Sequence, residues 1–103
     1  MPQAHDLKAL TATQVIATLA RIEGWRLSGD GDAVAIEKSF DFADYYQVIS
    51  FVNAVAFIAH AHNHHPDLTV SYHQCCVRWR THEASGISPA DFECAMRVDA
   101  LLT

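Results

Sequence analysis

The stretch DFADYYQVISFVNAVAFIAHA, residues 41–61, decides the fold. Tyr45, Val48, Val52, Val55 and Ala59 recur along it at helical spacing, which predicts a helix from about Phe42 to about Ala61. Asp41 is in place to cap that helix, with Phe40 and Tyr45 spaced as a hydrophobic staple. Phe51, Ala54, Phe57 and Ile58 lie away from the stripe and are apolar too. A helix that is apolar on more than one side needs cover on more than one side. A chain of 103 residues can cover only one, so self-association through Phe51, Ala54 and Ile58 is expected. The helix should break between Asn63 and Pro66, because proline disfavours helical geometry in the residue before it.

On the N-terminal side, Thr11 and Gln14 form a capping box, and Leu10 with Val15 has staple spacing. Val15, Leu19 and Ile22 then share one helix face, with Gly24 as a stop. Trp25-Arg26-Leu27 reads as a short strand and 28–32 as a turn. Val34, Ile36, Lys38 and Phe40 share the parity of a second strand, in which Lys38 is the one charged member. On the C-terminal side, Leu68, Val70 and Tyr72 alternate with polar neighbours, a tight turn falls near His73-Gln74, and Cys75, Val77 and Trp79 alternate again. Ser88-Pro89-Ala90-Asp91 opens a last helix as a capping box with proline at the first position, and Ile87 and Phe92 staple it. The order is α-β-β-α-β-β-α. It predicts a single α+β domain over residues 1–103, a four-stranded, mostly antiparallel sheet with three helices packed on one face.

Half the residues are apolar, which argues against disorder. The formal charge is −5, so phosphate backbones and anionic membrane surfaces are repelled; neither nucleic acid nor a membrane is an expected partner. The longest apolar run, residues 54–59, is too short to span a bilayer. Residues 1–6, Met-Pro-Gln-Ala-His-Asp, lack the basic flank and apolar run of a secretory leader. Cys75, Cys76 and Cys94 are odd in number and show no CxxC spacing, so neither a disulfide framework nor a thiolate zinc site is expected. A reducing, cytoplasmic setting fits.

Six of the seven histidines lie between His60 and His82. Imidazole both gives and takes a proton near neutral pH, its unperturbed pKa being about 6.5. His64 and His65, at the end of the long helix, and His82, at the far end of a strand, can bracket one small molecule. One would donate to a leaving group while another binds or deprotonates it.

The run His60-x-x-x-His64-His65-Pro66, followed by Tyr72, His82 and Asp91, resembles the signature of the pterin-4a-carbinolamine dehydratases. Phe40-Asp41-Phe42, Thr81-His82-Glu83 and Gly86-Ile87-Ser88 fall in the same order, so the resemblance covers most of the chain. It implies an α+β fold and loss of water from a 4a-hydroxytetrahydropterin to give a quinonoid dihydropterin, with no metal or organic cofactor. His64, His65 and His82 are then the catalytic residues, and His65, Tyr72, Thr81 and Asp91 bind substrate. The resemblance also implies a homodimer or homotetramer through the second helix, and an aromatic amino acid hydroxylase as neighbour in pterin recycling. His60 stands where the family commonly has an acidic residue, Leu68 near where some members carry an aromatic one, and Ser85 where glycine is frequent.

Plainer readings stand beside these. His64, His65 and His82 also suit the ends of a helix and a strand as ordinary polar residues, and His62 suits a packed role. Asp91 suits helix capping. Arg78 and Arg80 suit a solvated strand face, Tyr72 and Trp79 core or cleft-wall positions, and the cysteines small buried ones. Two other functions compete: a protein-binding module, since some relatives are dimerisation partners of a transcription factor, and a histidine-rich metal-binding protein, since His60 and His64 have the i, i+4 spacing of a helical ligand pair.

Overall fold

The computed structural model describes residues 8–103, so the reading of residues 1–6 lies outside the described residues. Helix α1 spans Ala12–Leu19, strand β1 Arg26–Ser28, β2 Ala35–Asp41, helix α2 Tyr45–His62, β3 Asp67–Val70, β4 Gln74–Trp79 and helix α3 Pro89–Ala100. The strands form one sheet in the order β1-β2-β4-β3, and every neighbouring pair is antiparallel. The helices cover one face of it, as the element order implied.

Alternation decides which face that is. Ile36 and Phe40 on β2, with Cys75, Val77 and Trp79 on β4, are buried, while Glu37, Ser39, Cys76 and Arg78 point the other way. Lys38 has the inward parity and is held at a price in desolvation that its partners offset. Its Nζ lies 2.9 Å from Asp99 Oδ1 and 3.0 Å from the Glu23 carbonyl, and Trp25 Nε1 donates to the other Asp99 oxygen at 2.9 Å. The ion pair thereby ties the α1–β1 connection and β2 to α3. Gly24 makes the approach possible. Its φ is +87°, and a Cβ there would come within 2.8 Å of the Lys38 side chain.

The helix starts follow their caps. Gln14 N–H donates to Thr11 Oγ1 and Thr11 N–H to Gln14 Oε1, the reciprocal box expected for α1. Helix α1 stops at Leu19, ahead of Gly24. Helix α2 starts later than expected. Asp41 belongs to β2, paired with Gln74, and the cap is Asp44, whose Oδ1 accepts from Gln47 N–H at 2.8 Å. The pattern Asp44-x-x-Gln47 carried that signal.

The buried stripe of α2 is also rotated from the expected one. Val48, Val55 and Ala59 are inside as read, but Phe51 and Ile58 are buried with them, while Tyr45 is half exposed and Val52 half-buried. Phe51 packs on Phe40 and Phe42 at ring-centroid distances of 4.8 and 5.0 Å. So Phe51 and Ile58 are core residues and cannot form the outer strip assigned to them. The apolar side chains that do face outward are Tyr46 and Phe57, 81% and 75% exposed. They lie eleven residues apart, three turns, and so share one face.

Candidate active site

Asn63 ends α2 in the left-handed conformation, φ 49°, which asparagine tolerates better than most residues. His64 N–H then bonds back to the Ala59 carbonyl at 3.1 Å. This reversal, three residues before the proline expected to cause it, takes His64 off the helix and turns it under the fold. The i, i+4 relation between His60 and His64 holds only while both are helical, so the chain path undoes it. His60 is exposed and His64 is 7% exposed. Among the described residues, no group of three or more His, Cys, Asp or Glu side chains is gathered as a metal ion would need.

His64 Nε2 lies 2.6 Å from Asp91 Oδ1. Asp91 is wholly buried, and its Oδ2 accepts from Thr81 Oγ1 at 2.8 Å and from Ser88 N–H at 2.9 Å. Because Thr81 gives its hydroxyl proton to Asp91, the adjacent Ser88 hydroxyl donates to Thr81. An ionised carboxylate can only accept, so Nε2 carries the hydrogen and Nδ1 is the nitrogen left over. The capping and site readings of Asp91 are thus compatible. One oxygen serves the start of α3 and the other serves His64.

Trp79, the last residue of β4, closes the far side of His64. The two rings lie 5.5 Å apart between centroids and within 11° of parallel. The indole N–H is buried and has no acceptor among the described residues. An unmet buried donor costs about 1–3 kcal/mol.

His82 follows Thr81 directly and is exposed. Thr81 N–H donates to the Gly86 carbonyl at 2.9 Å, and the 3₁₀ turn His82–Ala84 is closed by Ser85 N–H on the His82 carbonyl at 3.0 Å. His82 therefore stands on a short loop pinned at its base to the residue that grips Asp91. His65 follows His64 and is exposed. The structure brings His64, Thr81 and Asp91 into one bonded network, with His65 and His82 each one residue away along the chain.

Tyr72 does not join them. It lies in the β3–β4 turn, 76% exposed, with its ring edge-on to Tyr45 at 5.8 Å. Along β4, Trp79 beside His64 lies five positions on from Gln74 at that turn, about 16 Å of strand. Neither Trp79 nor Ser88 was singled out for the site from sequence. Ser88 was legible as a cap, and Trp79's inward parity on β4 pointed to the ring beside it only once Asn63 had turned His64 inward. Cys75 and Cys94 are not nucleophiles here. Burial pushes Cys75 up to about 11, and burial with the Asp91 charge beside it pushes Cys94 up to about 12, so both stay protonated near neutral pH.

Residues 8–101 match the family model described as pterin 4 alpha carbinolamine dehydratase. A protein of Paracidovorax citrulli (strain AAC00-1), provisionally named a pterin-4-alpha-carbinolamine dehydratase, is 61% identical over 99 residues, covering 96% of this chain and 85% of the other. A protein of the same provisional name from Bdellovibrio bacteriovorus is 46% identical over 98 residues, 91% of this chain and 78% of the other. Among solved structures, a transcriptional coactivator/pterin dehydratase from Brucella melitensis superposes with a TM-score of 0.86 at 26% identity, over 93% of this chain and 100% of that one. A pterin dehydratase-like protein identified as a RuBisCO assembly factor in the alpha-carboxysome superposes at 0.65 with 25% identity, over 77% of this chain and 89% of that one.

Proposed function

Because the chain belongs to the pterin-4-alpha-carbinolamine dehydratase family, we propose that it removes water from a 4a-hydroxytetrahydropterin by histidine acid–base catalysis. The observation that carries this reading is the buried His64–Asp91–Thr81 network, with two exposed histidines adjoining it in the chain.

Hydroxide leaves badly, so an acid must protonate the 4a-hydroxyl as its C–O bond breaks. The lone pair of the neighbouring ring nitrogen closes a C=N bond, and a base takes that nitrogen's proton. Water and a quinonoid dihydropterin result. His64 and His82 assist these two proton transfers, and His65 binds and orients the pterin. Proton transfer of this kind contributes about 10²- to 10⁴-fold. With Nε2 held by Asp91, His64 works through Nδ1. Asp91 and Thr81 act through His64, fixing its tautomer and ring position, as an orienting carboxylate does for other catalytic imidazoles. No metal or organic cofactor takes part, and the reaction lies in pterin recycling beside an aromatic amino acid hydroxylase, in the cytoplasm.

A protein-binding role is a second reading, supported by exposed Tyr46 and Phe57 on α2 and by the coactivator and assembly-factor names of the structural relatives. Turnover decides between them. Purified, metal-stripped protein is expected to dehydrate the carbinolamine. His64→Ala and His82→Ala should each lower kcat by about 10²-fold or more, the size of a general acid–base contribution. His65→Ala should raise KM at least as visibly as it lowers kcat. Inactive wild-type protein would leave the binding role, and activity restored only by added metal would favour the metal-binding one.

A further inference from the structure

Trp79 has no part in the chemistry set out above, yet it is the largest fully buried side chain among the described residues, and its ring lies against His64. We propose that Trp79 is a positioning residue for the dehydration: its indole face fixes the plane of the His64 imidazole, so that Nδ1 meets the substrate at one angle. The inference rests on the dehydratase reading of the site.

One hydrogen bond does not fix a ring. The Nε2 contact to Asp91 holds one atom of the imidazole, and the torsion that turns a histidine ring is intrinsically broad. A second constraint has to act on the ring's face. The indole supplies it, parallel within 11° at 5.5 Å, inside the range for offset stacking. The strand makes both constraints together. Trp79 and Thr81 are two residues apart, so extended chain directs them to the same side. There Thr81 grips Asp91 while Trp79 faces His64.

The indole N–H supports the same reading. Leucine or phenylalanine would fill an apolar slot at the end of β4 without burying an unmet donor. Trp79 buries one. Local rules broken without local compensation mark functional positions, and the compensation available here is the flat surface offered to His64.

The test compares Trp79→Phe, which keeps an aromatic face and removes the unmet N–H, with Trp79→Leu, which keeps apolar bulk and removes the face. Trp79→Met replaces Trp79→Leu if the latter does not fold. Three quantities are read: melting temperature, kcat and KM for carbinolamine dehydration, and the NMR resonance of the proton between His64 Nε2 and Asp91. Trp79→Phe should keep kcat and the resonance close to wild type. Trp79→Leu should lower kcat about 10- to 100-fold with little change in KM, as small misplacements of a reacting group do, and should shift or broaden the resonance. A Leu variant with wild-type kcat and an unmoved resonance overturns the proposal. So does a loss of kcat that follows melting temperature equally in both variants. If the wild-type protein dehydrates nothing, the dehydratase reading fails, and the resonance alone still decides whether Trp79 holds the His64 ring.

Discussion

Ser85 sits at φ 51°, in the left-handed region that L side chains other than asparagine and aspartate rarely adopt. It closes the loop that carries His82, and the loop needs that conformation because Thr81 and Gly86 pair across its base. The family's frequent glycine at this position therefore has a backbone explanation, and serine here stores strain. Replacing Ser85 with glycine should stabilise the fold by about 0.5–1 kcal/mol, the relief of strain exceeding the added freedom of the unfolded chain. Chemical denaturation checks this, and a destabilised variant would mean the serine side chain supports the loop. The motif residues themselves were legible by type and spacing. Their division of labour was not, because it depends on burial. His64 and His65 are chain neighbours, yet one is inside and the other outside, and a single left-handed residue, Asn63, makes the difference.

Elements with reciprocal caps were readable to within a residue or two. Thr11 with Gln14 and Ser88 with Asp91 begin helices where the sequence indicated. The start of α2 was misread because two aspartates compete there. Asp41 has the staple spacing, whereas Asp44 has the glutamine three residues on, and the hydrogen-bonded partner decides. The buried face of α2 was misread for a different reason. A helix apolar most of the way round offers several stripes, and the sheet selects the one with the larger side chains, Phe51 and Ile58. Helix α3 gives the sharpest test at this scale, since its first turn and the site share one carboxylate. Replacing Asp91 with alanine removes the bond to Ser88 N–H and leaves the buried Thr81 hydroxyl and His64 ring without their acceptor. Loss of a cap costs about 0.5–2 kcal/mol and each stranded buried donor about 1–3. A loss of at least about 2.5 kcal/mol is expected in thermal or urea unfolding, together with lost turnover. Unchanged stability with lost turnover would mean that Asp91 serves the site alone.

At the scale of the whole molecule, the low polarity of α2 has two sources that the sequence could not separate, and the structure divides them. Val48, Phe51, Val55, Ile58 and Ala59 face the sheet, and that side needs no partner. Tyr46 and Phe57 face outward along one stripe, with Ser50 and Asn53 exposed between them. Small side chains flanked by large aromatic ones suit a second helix laid against this surface. The homo-oligomer expected through Phe51, Ala54 and Ile58 is therefore predicted to form through Tyr46 and Phe57 instead. Fully burying a large apolar side chain is worth about 1.5–3 kcal/mol. A two-fold axis counts each residue twice, so the pair can outweigh much of the entropy lost on association. Light scattering at micromolar concentration should find an oligomer for the wild type. Tyr46→Glu combined with Phe57→Glu should give a smaller species with an unchanged circular dichroism spectrum. Phe51→Glu or Ile58→Glu should instead lower the melting temperature, because both side chains belong to the buried core and a carboxylate would enter it. A monomeric wild type would reject self-association. An oligomer that survives both surface charges would put the interface off α2, on the exposed edge of β1 or β3.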